Sequence, residues 1–271
     1  MKHFLMGVDF SSSPSARKAI VVATGSLHGA VMRLEGLQAI TSLHAFAQWL
    51  AQTGPAVAGL DLPFGLPREL VETLGWPTDW AACMDHYASL SRAQIRDTFA
   101  AFCDARPVGS KFAHRQCDGP AGSSPSMKWV NPPVAYMLHA GVPLLRQANW
   151  CLPAHAPGAG DIQRIALEAY PGLLARQVLG TRSYKSDDRA RQTPERLIAR
   201  KDLIETLEQG RSQLDIRLKL TAAQRDALAD DASGDSLDAV LCLLQAAWAS
   251  VRPRWGLPDA VDPLEGWIIG A

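Results

Sequence analysis

The sequence predicts an α/β fold, a mixed sheet flanked by helices, with a largely helical and loop insertion. Apolar and β-branched runs bounded by glycine alternate with stretches of helical spacing before residue 67 and after residue 160. Residues 67–160 lose this regularity and are rich in Gly, Pro and Ser loops. We therefore expect residues 1–66 and 161–271 to form the core, with residues 67–160 inserted within the same domain.

Three strands are expected first, at residues 4–10, 19–24 and 31–37. Gly25 and Gly29 bracket the turn between the second and third strands, which indicates a hairpin. Helical spacing of leucine, phenylalanine and alanine then predicts a helix over residues 42–52. Residues 57–61 form the next apolar strand, so the opening is of mixed α/β type.

The insertion contains helix-like pieces near residues 68–74 and 90–103, separated by loops. Regular structure resumes with a strand over residues 164–170, which the pair Pro171-Gly172 ends. Three helices are expected after it. They begin at Thr193, at the capping box Thr221 to Gln224, and at Gly234.

Composition restricts the function classes. The chain has 271 residues, 47% of them hydrophobic, and 27 basic residues balance 27 acidic ones, which argues against a dedicated nucleic-acid coat protein. Five cysteines without a C-x-x-C pair favour neither a disulfide framework nor a zinc ribbon. The apolar run at residues 4–8 is too short for a signal peptide, and no membrane span is evident, so we expect a cytoplasmic protein.

Acidic residues at the ends of apolar segments are the candidate catalytic residues: Asp9, Asp61, Glu168, Asp235 and Asp238. Singly, the first two are typical of turns and the last two of helix N-termini. Because Asp235 and Asp238 are three residues apart, they share one face of their helix. The repetition of the arrangement favours a common site.

Glu168 lies among apolar residues of a predicted strand, where an unpaired carboxylate is costly. It therefore requires either a metal ion or a salt bridge, for which Arg164 and Arg176 are the candidate partners. Hard divalent cations such as Mg²⁺ or Mn²⁺ prefer carboxylate oxygens, and a pair of such ions can cleave a phosphodiester. We expect Asp9, Glu168, Asp235 and Asp238 to be the metal ligands, with Asp61 nearby.

The segments around these acids resemble domain-of-unknown-function family 429. The resemblance runs from Gly7-Val8-Asp9 through Leu60-Asp61-Leu62-Pro63, Glu168-Ala169-Tyr170-Pro171 and Asp235-Ser236-Leu237-Asp238-Ala239 to Glu265-Gly266-Trp267-Ile268. Members are regarded as predicted nucleases of the ribonuclease H-like fold, and the helical acids are similar to the pair in RuvC-type resolvases. The resemblance implies that Asp9 is the first-strand acid and that Asp61 or Glu168 supplies the middle acids.

A nucleic-acid or nucleotide substrate needs basic contacts. Between residues 176 and 201, eight Lys and Arg residues face three acids, which indicates either phosphate binding or a solvated helix face. We expect Ser11, Arg182, Tyr184 and Lys185 to contact substrate. Cations of the insertion near Trp129 are a weaker candidate surface.

Three functions fit these residues. The preferred one is a metal-dependent nuclease with a two-metal mechanism. A phosphotransferase of the actin and sugar-kinase type also opens with an Asp on its first strand, but its glycine-rich phosphate loops do not match Ser11-Ser12-Ser13-Pro14. The third is a non-catalytic binding module that retains the fold. The sequence marks no oligomeric interface.

Overall fold

The computed structural model describes residues 4–271. Residues 1–3, which precede the apolar run expected not to be a signal peptide, lie outside the described residues. Within the described part, seven strands form one sheet. They are β1 (Phe4–Asp9), β2 (Ile20–His28), β3 (Val31–Ile40), β4 (Ala56–Asp61), β5 (Trp150–Cys151), β6 (Asp161–Glu168) and β7 (Arg217–Lys219).

The sheet is mixed and has the order β5-β6-β4-β1-β2-β3-β7. Strand β1 pairs parallel with β4, which pairs parallel with β6. On the other side of β1, the antiparallel hairpin of β2 and β3 extends the sheet, as the glycines around its turn predict. This α/β architecture confirms the predicted fold class and is consistent with a ribonuclease H-like fold.

Ten α-helices accompany the sheet within residues 4–271. They are α1 (Leu43–Gln52), α2 (Arg68–Thr73), α3 (Trp80–Ser89), α4 (Arg92–Asp104), α5 (Asp118–Ala121), α6 (Val134–Gln147), α7 (Pro171–Leu179), α8 (Pro194–Glu208), α9 (Ala222–Asp230) and α10 (Asp235–Ser250). Helices α2 to α6 and the edge strand β5 belong to residues 67–160, the segment predicted to be inserted. Helix α7 is not among the predicted elements. Pro171, which the sequence pattern assigns to the end of a strand, lies in the first turn of this helix, a position that proline suits.

Local capping explains where several helices begin. The Ser42 side chain accepts a hydrogen bond from Ala45 N and starts α1. The predicted capping box of Thr221 and Gln224 is confirmed at the start of α9. At α10, Gly234 has φ +77°, a left-handed conformation that glycine adopts readily, and this residue turns the chain into the helix.

Apolar side chains pack on both faces of the sheet. Because successive strand residues point to opposite faces, Leu5 joins the layer beneath α7, α8 and α10, while Met6 and Val8 join the layer beneath α1 and the inserted helices. Burial of both layers fixes the register of the central strands, since a slip by one residue would exchange the two faces.

Two glycines let α10 lie directly against the central strands. Gly7 of β1 and Gly59 of β4 are register partners. A Cβ at Gly7 would lie 2.0 Å from the carbonyl oxygen of Ala239, and one at Gly59 would lie 2.5 Å from that of Cys242. The first two turns of α10 therefore approach the sheet as closely as backbone atoms allow, which places the helix N-terminus above the ends of β1 and β4.

Across residues 4–271, none of the helices combines the length and the apolar character needed to cross a lipid bilayer. The cysteines in this part of the chain are free and buried, at positions 83, 103, 117, 151 and 242.

Candidate metal centre

Two aspartates lie side by side at the ends of neighbouring parallel strands. Asp9 ends β1, Asp61 ends β4, and the two are register partners. Each follows a glycine by two positions, so Gly7 and Asp9 share one face, as do Gly59 and Asp61. The face that receives α10 through its glycines therefore presents both carboxylates to the start of that helix.

Asp238 completes a group of three carboxylates. It is fully buried in the first turn of α10. One carboxylate oxygen from each of Asp9, Asp61 and Asp238 lies within 4.8 Å of the others. Two strand ends and one helix thus bring together acids that are far apart in the sequence.

The carboxylates of this trio perturb one another. Burial and the neighbouring Asp238 raise the pKa of Asp9 well above its usual value. The same two causes raise the pKa of Asp61 to about 7. Burial also raises the pKa of Asp238, although Lys185 and Tyr184 oppose that rise. Three carboxyl groups of this kind hold negative charge at a cost that a cation would remove.

This geometry is found in a chain that a family model recognises along most of its length. The model described as "Protein of unknown function (DUF429)" matches residues 7–254. The chain belongs to this family. Neither a search of curated proteins nor a search of solved structures finds a match. The matched range includes the whole acidic trio, whereas Glu265 lies beyond it.

In this DUF429 chain, Asp238 is held by two neighbouring residues of one loop. The Tyr184 hydroxyl donates to Asp238 Oδ1, and Lys185 Nζ donates to Asp238 Oδ2. Tyr184 is itself buried. Burial alone would lower the pKa of Lys185, but Asp238 raises it well above its usual value. Both oxygens of Asp238 therefore have a defined partner, and the carboxylate orientation is fixed.

Asp235 lies one turn before Asp238 on α10 but has its own cation. Lys18 Nζ is 2.6 Å from Asp235 Oδ1 and 2.8 Å from Asp187 Oδ1. Asp235 is buried and adds to the negative field at Asp9. The structure thus places Asp235 beside the trio, bound to a lysine.

Glu168 lies at the same edge of the sheet but points to the other face. Its register partner on β4 is Leu60 rather than Asp61, and successive strand residues face opposite ways. Its carboxylate accepts two hydrogen bonds from Arg115, at 2.7 and 2.8 Å, and one from Phe64 N at 3.0 Å. The structure therefore places Glu168 in a buried salt bridge.

The arginine that pairs with Glu168 comes from the insertion. Arg115 is buried and also binds Asp118, its neighbour three residues on. The partners considered from the sequence are engaged elsewhere: Arg164 binds Asp161, and Arg176 donates to backbone carbonyls at positions 121 and 122. The insertion and the core are thus joined by a fully desolvated ion pair.

A second buried carboxylate supports the same region. Glu265 accepts hydrogen bonds from the backbone nitrogens of Arg68 and Gln116, both at 2.8 Å. These bonds tie the C-terminal segment to the start of α2 and to the loop that carries Arg115. Glu168 and Glu265 therefore both fix loops that surround the end of β4.

The predicted substrate contacts have varied surroundings. Tyr184 and Lys185 lie at the trio, as described above. Arg182 is exposed and binds Asp202 of α8 at 2.6 Å. Ser11 follows the trio-bearing end of β1, and its hydroxyl accepts from Ser13 N at 3.4 Å.

The basic run between residues 176 and 201 is largely engaged within the protein. Arg200 is buried and donates to the carbonyls of Tyr184 and Ala229, both at 2.7 Å. Arg196 donates to the carbonyl of Lys185. These two arginines hold the loop that presents Tyr184 and Lys185 to Asp238. Among the cations of the insertion, Arg115 is buried, so it does not belong to a surface.

Two residues of this DUF429 site, Lys18 and Asp231, were not singled out in the sequence, and Arg115 was considered only as a surface cation of the insertion. Each acts through a long-range or a capping contact. Asp231 caps α10 by accepting from Ser236 N at 2.9 Å. An aspartate just before a helical run is a recognisable N-terminal signal, whereas the pairings of Lys18 and Arg115 leave no local pattern.

The donor set suits a hard divalent cation. The trio offers carboxylate oxygens, the ligand type preferred by Mg²⁺, Mn²⁺ and Ca²⁺, and consists of aspartates alone. Folding has already desolvated the carboxylates of Asp9 and Asp61, and their repulsion disfavours the ionised site when no cation is bound. Asp9, Asp61 and Asp238 can therefore hold a metal ion, with Asp235 adjacent.

Proposed function

We propose that this DUF429 protein is a metal-dependent hydrolase of phosphodiester bonds, a nuclease acting on nucleic acid or nucleotides in the cytoplasm with Mg²⁺ or Mn²⁺. The observation that supports the proposal most strongly is the trio of Asp9, Asp61 and Asp238, of which Asp9 and Asp238 are buried, with its mutually raised pKa values. Acids on two adjacent strand ends and a helix are also what the ribonuclease H-like resemblance implies.

In this proposal, Asp9, Asp61 and Asp238 would hold one ion, and Asp235 would contribute to a second. When bound, such ions would activate water and stabilise the leaving oxygen. The Tyr184 hydroxyl donates to Asp238 and so holds the carboxylate in one orientation before a metal ion binds.

We assign Glu168 a positioning role rather than direct metal contact. It lies on the other face of the sheet from the trio, and its oxygens accept from Arg115 and from Phe64 N, three residues beyond Asp61. Leu62 and Phe64 are buried, so this hydrogen bond fixes the loop through which the chain leaves Asp61. Of the two middle acids, Asp61 is therefore the ligand in our proposal.

The first test measures metal binding by isothermal titration calorimetry. The wild-type protein, Asp9→Asn and Asp238→Asn are each titrated with Mg²⁺ and with Mn²⁺. We expect wild type to bind and both variants to lose most of their affinity, because each removes one of three charged ligands. Cleavage is scored on single-stranded, duplex, hybrid and junction substrates in the same buffers. Metal-dependent cutting by wild type alone is the expected result.

Asp97→Asn is the matched control, since Asp97 is exposed on α4 and pairs with Arg96. It should bind metal and cleave as wild type does. Metal binding without cleavage of any substrate would contradict the nuclease proposal and favour a phosphotransferase. A wild-type protein that binds neither metal would make the trio structural and favour a non-catalytic binding module.

A further inference from the structure

Lys18 connects two loops across the acidic site. It lies between β1 and β2, and its ammonium group binds Asp235 of α10 and Asp187 of the loop after α7. Its side chain is 41% exposed and Asp187 is 73% exposed, whereas Asp235 is only 11% exposed. Lys18 therefore reaches from the protein surface down to a buried carboxylate.

Each helical aspartate has its own lysine. Lys18 pairs with Asp235, and Lys185 pairs with Asp238. The field of Lys18 also reaches the trio, since its charge interacts favourably with Asp9 and Asp61. In the metal-free protein the two ammonium groups thus supply part of the positive charge that the acids need.

The balance of charge changes when a divalent cation binds. In their ionised forms, Asp9, Asp61, Asp235 and Asp238 carry four negative charges against two positive charges on the lysines, a net charge of −2. One divalent ion brings this group to neutrality, and a second brings it to +2. With two ions bound, positive charge exceeds negative charge in this group, which favours the binding of an anion.

We propose that Lys18 is a substrate-contacting residue of this site, which holds Asp235 in the metal-free protein and binds a phosphate oxygen when metal occupies the acids. This inference rests on the proposed function. An ammonium group has three N–H donors, so Lys18 can keep Asp187 while it exchanges Asp235 for phosphate. The exposed pair with Asp187 contributes little energy of its own, so the ammonium group at the mouth of the site can change partners at small cost.

The test compares wild type, Lys18→Gln and Lys18→Arg, with Arg17→Gln as the matched control. Arg17 is the adjacent cation and is exposed. Two quantities are measured on each protein: Mn²⁺ affinity by calorimetry, and the affinity of the Mn²⁺-loaded protein for inorganic phosphate, from paramagnetic broadening of the ³¹P resonance.

We expect Lys18→Gln to bind Mn²⁺ as tightly as wild type or several-fold more tightly, because a cation that competes for Asp235 is gone. Its affinity for phosphate should fall roughly tenfold, as for the loss of a charge-assisted hydrogen bond. Lys18→Arg should recover most of the phosphate affinity, and Arg17→Gln should match wild type in both measurements.

Two outcomes would overturn this inference and leave the proposed function intact. If Lys18→Gln binds phosphate as wild type does, Lys18 does not contact the anion. If Lys18→Gln loses Mn²⁺ affinity and Lys18→Arg restores it, Lys18 only braces the acids. If wild type binds no Mn²⁺, both the inference and the proposed function fail, so the Mn²⁺ titration of wild type separates the two cases.

Discussion

Asp61→Asn should stabilise the metal-free protein, and the gain should grow with pH. Asp61 lies beside Asp9 and close to Asp238, and burial and that neighbour raise its pKa to about 7. The folded state therefore holds the Asp61 proton more tightly than the unfolded chain does. Asparagine keeps nearly the same shape without the charge, so it removes the repulsion at every pH.

The magnitude follows from the pKa. A rise from 3.8 to about 7 is about three units, or ~4 kcal/mol of unfavourable interaction when Asp61 is ionised. Asp61 is partly exposed, so we expect about 2–4 kcal/mol. For comparison, two unit charges 4.8 Å apart repel by ~3 kcal/mol at an effective dielectric constant of about 20.

The sign of the pH dependence is fixed by the same shift. Below about pH 4 the group is protonated in both states, and the penalty is absent. As pH rises from 4 to 7 the unfolded chain releases the proton first, so the metal-free protein loses stability, and above pH 7 the loss is complete. Asp61 alone should therefore make the wild-type protein about 2–3 kcal/mol less stable at pH 8 than at pH 5.

The assay is urea unfolding in EDTA at pH 5 and pH 8, followed by the fluorescence of the tryptophans, of which the sequence has eight. Asp61→Asn should have the higher free energy of unfolding at pH 8, with a smaller difference at pH 5. Adding Mg²⁺ should stabilise wild type and leave the variant unchanged, because only wild type has the full ligand set.

Asp97→Asn is again the control, and it should stay within about 0.5 kcal/mol of wild type at both pH values, as exposed substitutions usually do. An Asp61→Asn variant that is less stable than wild type at pH 8 in EDTA would refute the argument that the trio is electrostatically strained. Equal wild-type stability at pH 5 and pH 8 would refute it as well.

Three further predictions use the same structure. Glu168→Gln should lower the free energy of unfolding by ~3 kcal/mol in urea titrations, because it leaves the buried Arg115 without its bidentate partner. This effect is opposite in sign to that of Asp61→Asn. An unchanged urea midpoint would mean that the pair contributes nothing to stability. Gly7→Ala should lower the free energy of unfolding by about 3 kcal/mol or more in thermal unfolding, since a Cβ meets the α10 backbone. Gly54→Ala, whose Cβ meets open space, should be nearly neutral. Equal melting temperatures of the two variants would contradict the close helix–sheet contact. The affinity of the wild-type protein for Mn²⁺ should fall by about tenfold per pH unit below pH 7 in calorimetric titrations, because the ion must displace the proton of Asp61. An affinity that stays constant from pH 5.5 to 8 would exclude Asp61 as a ligand.

The central strands of the sheet and the three clustered acids follow from local patterns in the sequence. Apolar runs ending in an acid predict the strands that carry Asp9 and Asp61, and helical spacing predicts α10 with Asp238 in its first turn. The repeated order of glycine, apolar residue and aspartate at positions 7–9 and 59–61 contains more information than these runs alone. It marks both the face on which a helix packs and the acids on that face.

The face of the sheet on which the Glu168 side chain lies does not follow from local patterns. Its strand was predicted, and its burial among apolar residues correctly required a partner. Which face it takes depends on the register between β4 and β6, where Glu168 is opposite Leu60. A shift of one residue would have aligned it with Asp61 on the other face. Register between strands separated by the whole insertion is set by packing and leaves no periodic signal.

The cations of the site illustrate why pairings at long range escape sequence reasoning. Lys18 and Asp235 are 217 positions apart, and Arg115 and Glu168 are 53 apart. A lysine in a serine-rich loop and an arginine in an irregular insertion look like solvated charges, since most such residues are. Only the fold shows that Arg115 lies desolvated against Glu168 and that Lys18 reaches a buried aspartate.

The two cations differ in solvent exposure. The buried pair of Arg115 has no access to solvent and braces the loop after Asp61, whereas Lys18 is half exposed, which our proposal requires for it to change partners. On one face of the sheet the positive charge is fixed by burial, and on the other it is open to solvent, as the proposed exchange of Asp235 for phosphate needs.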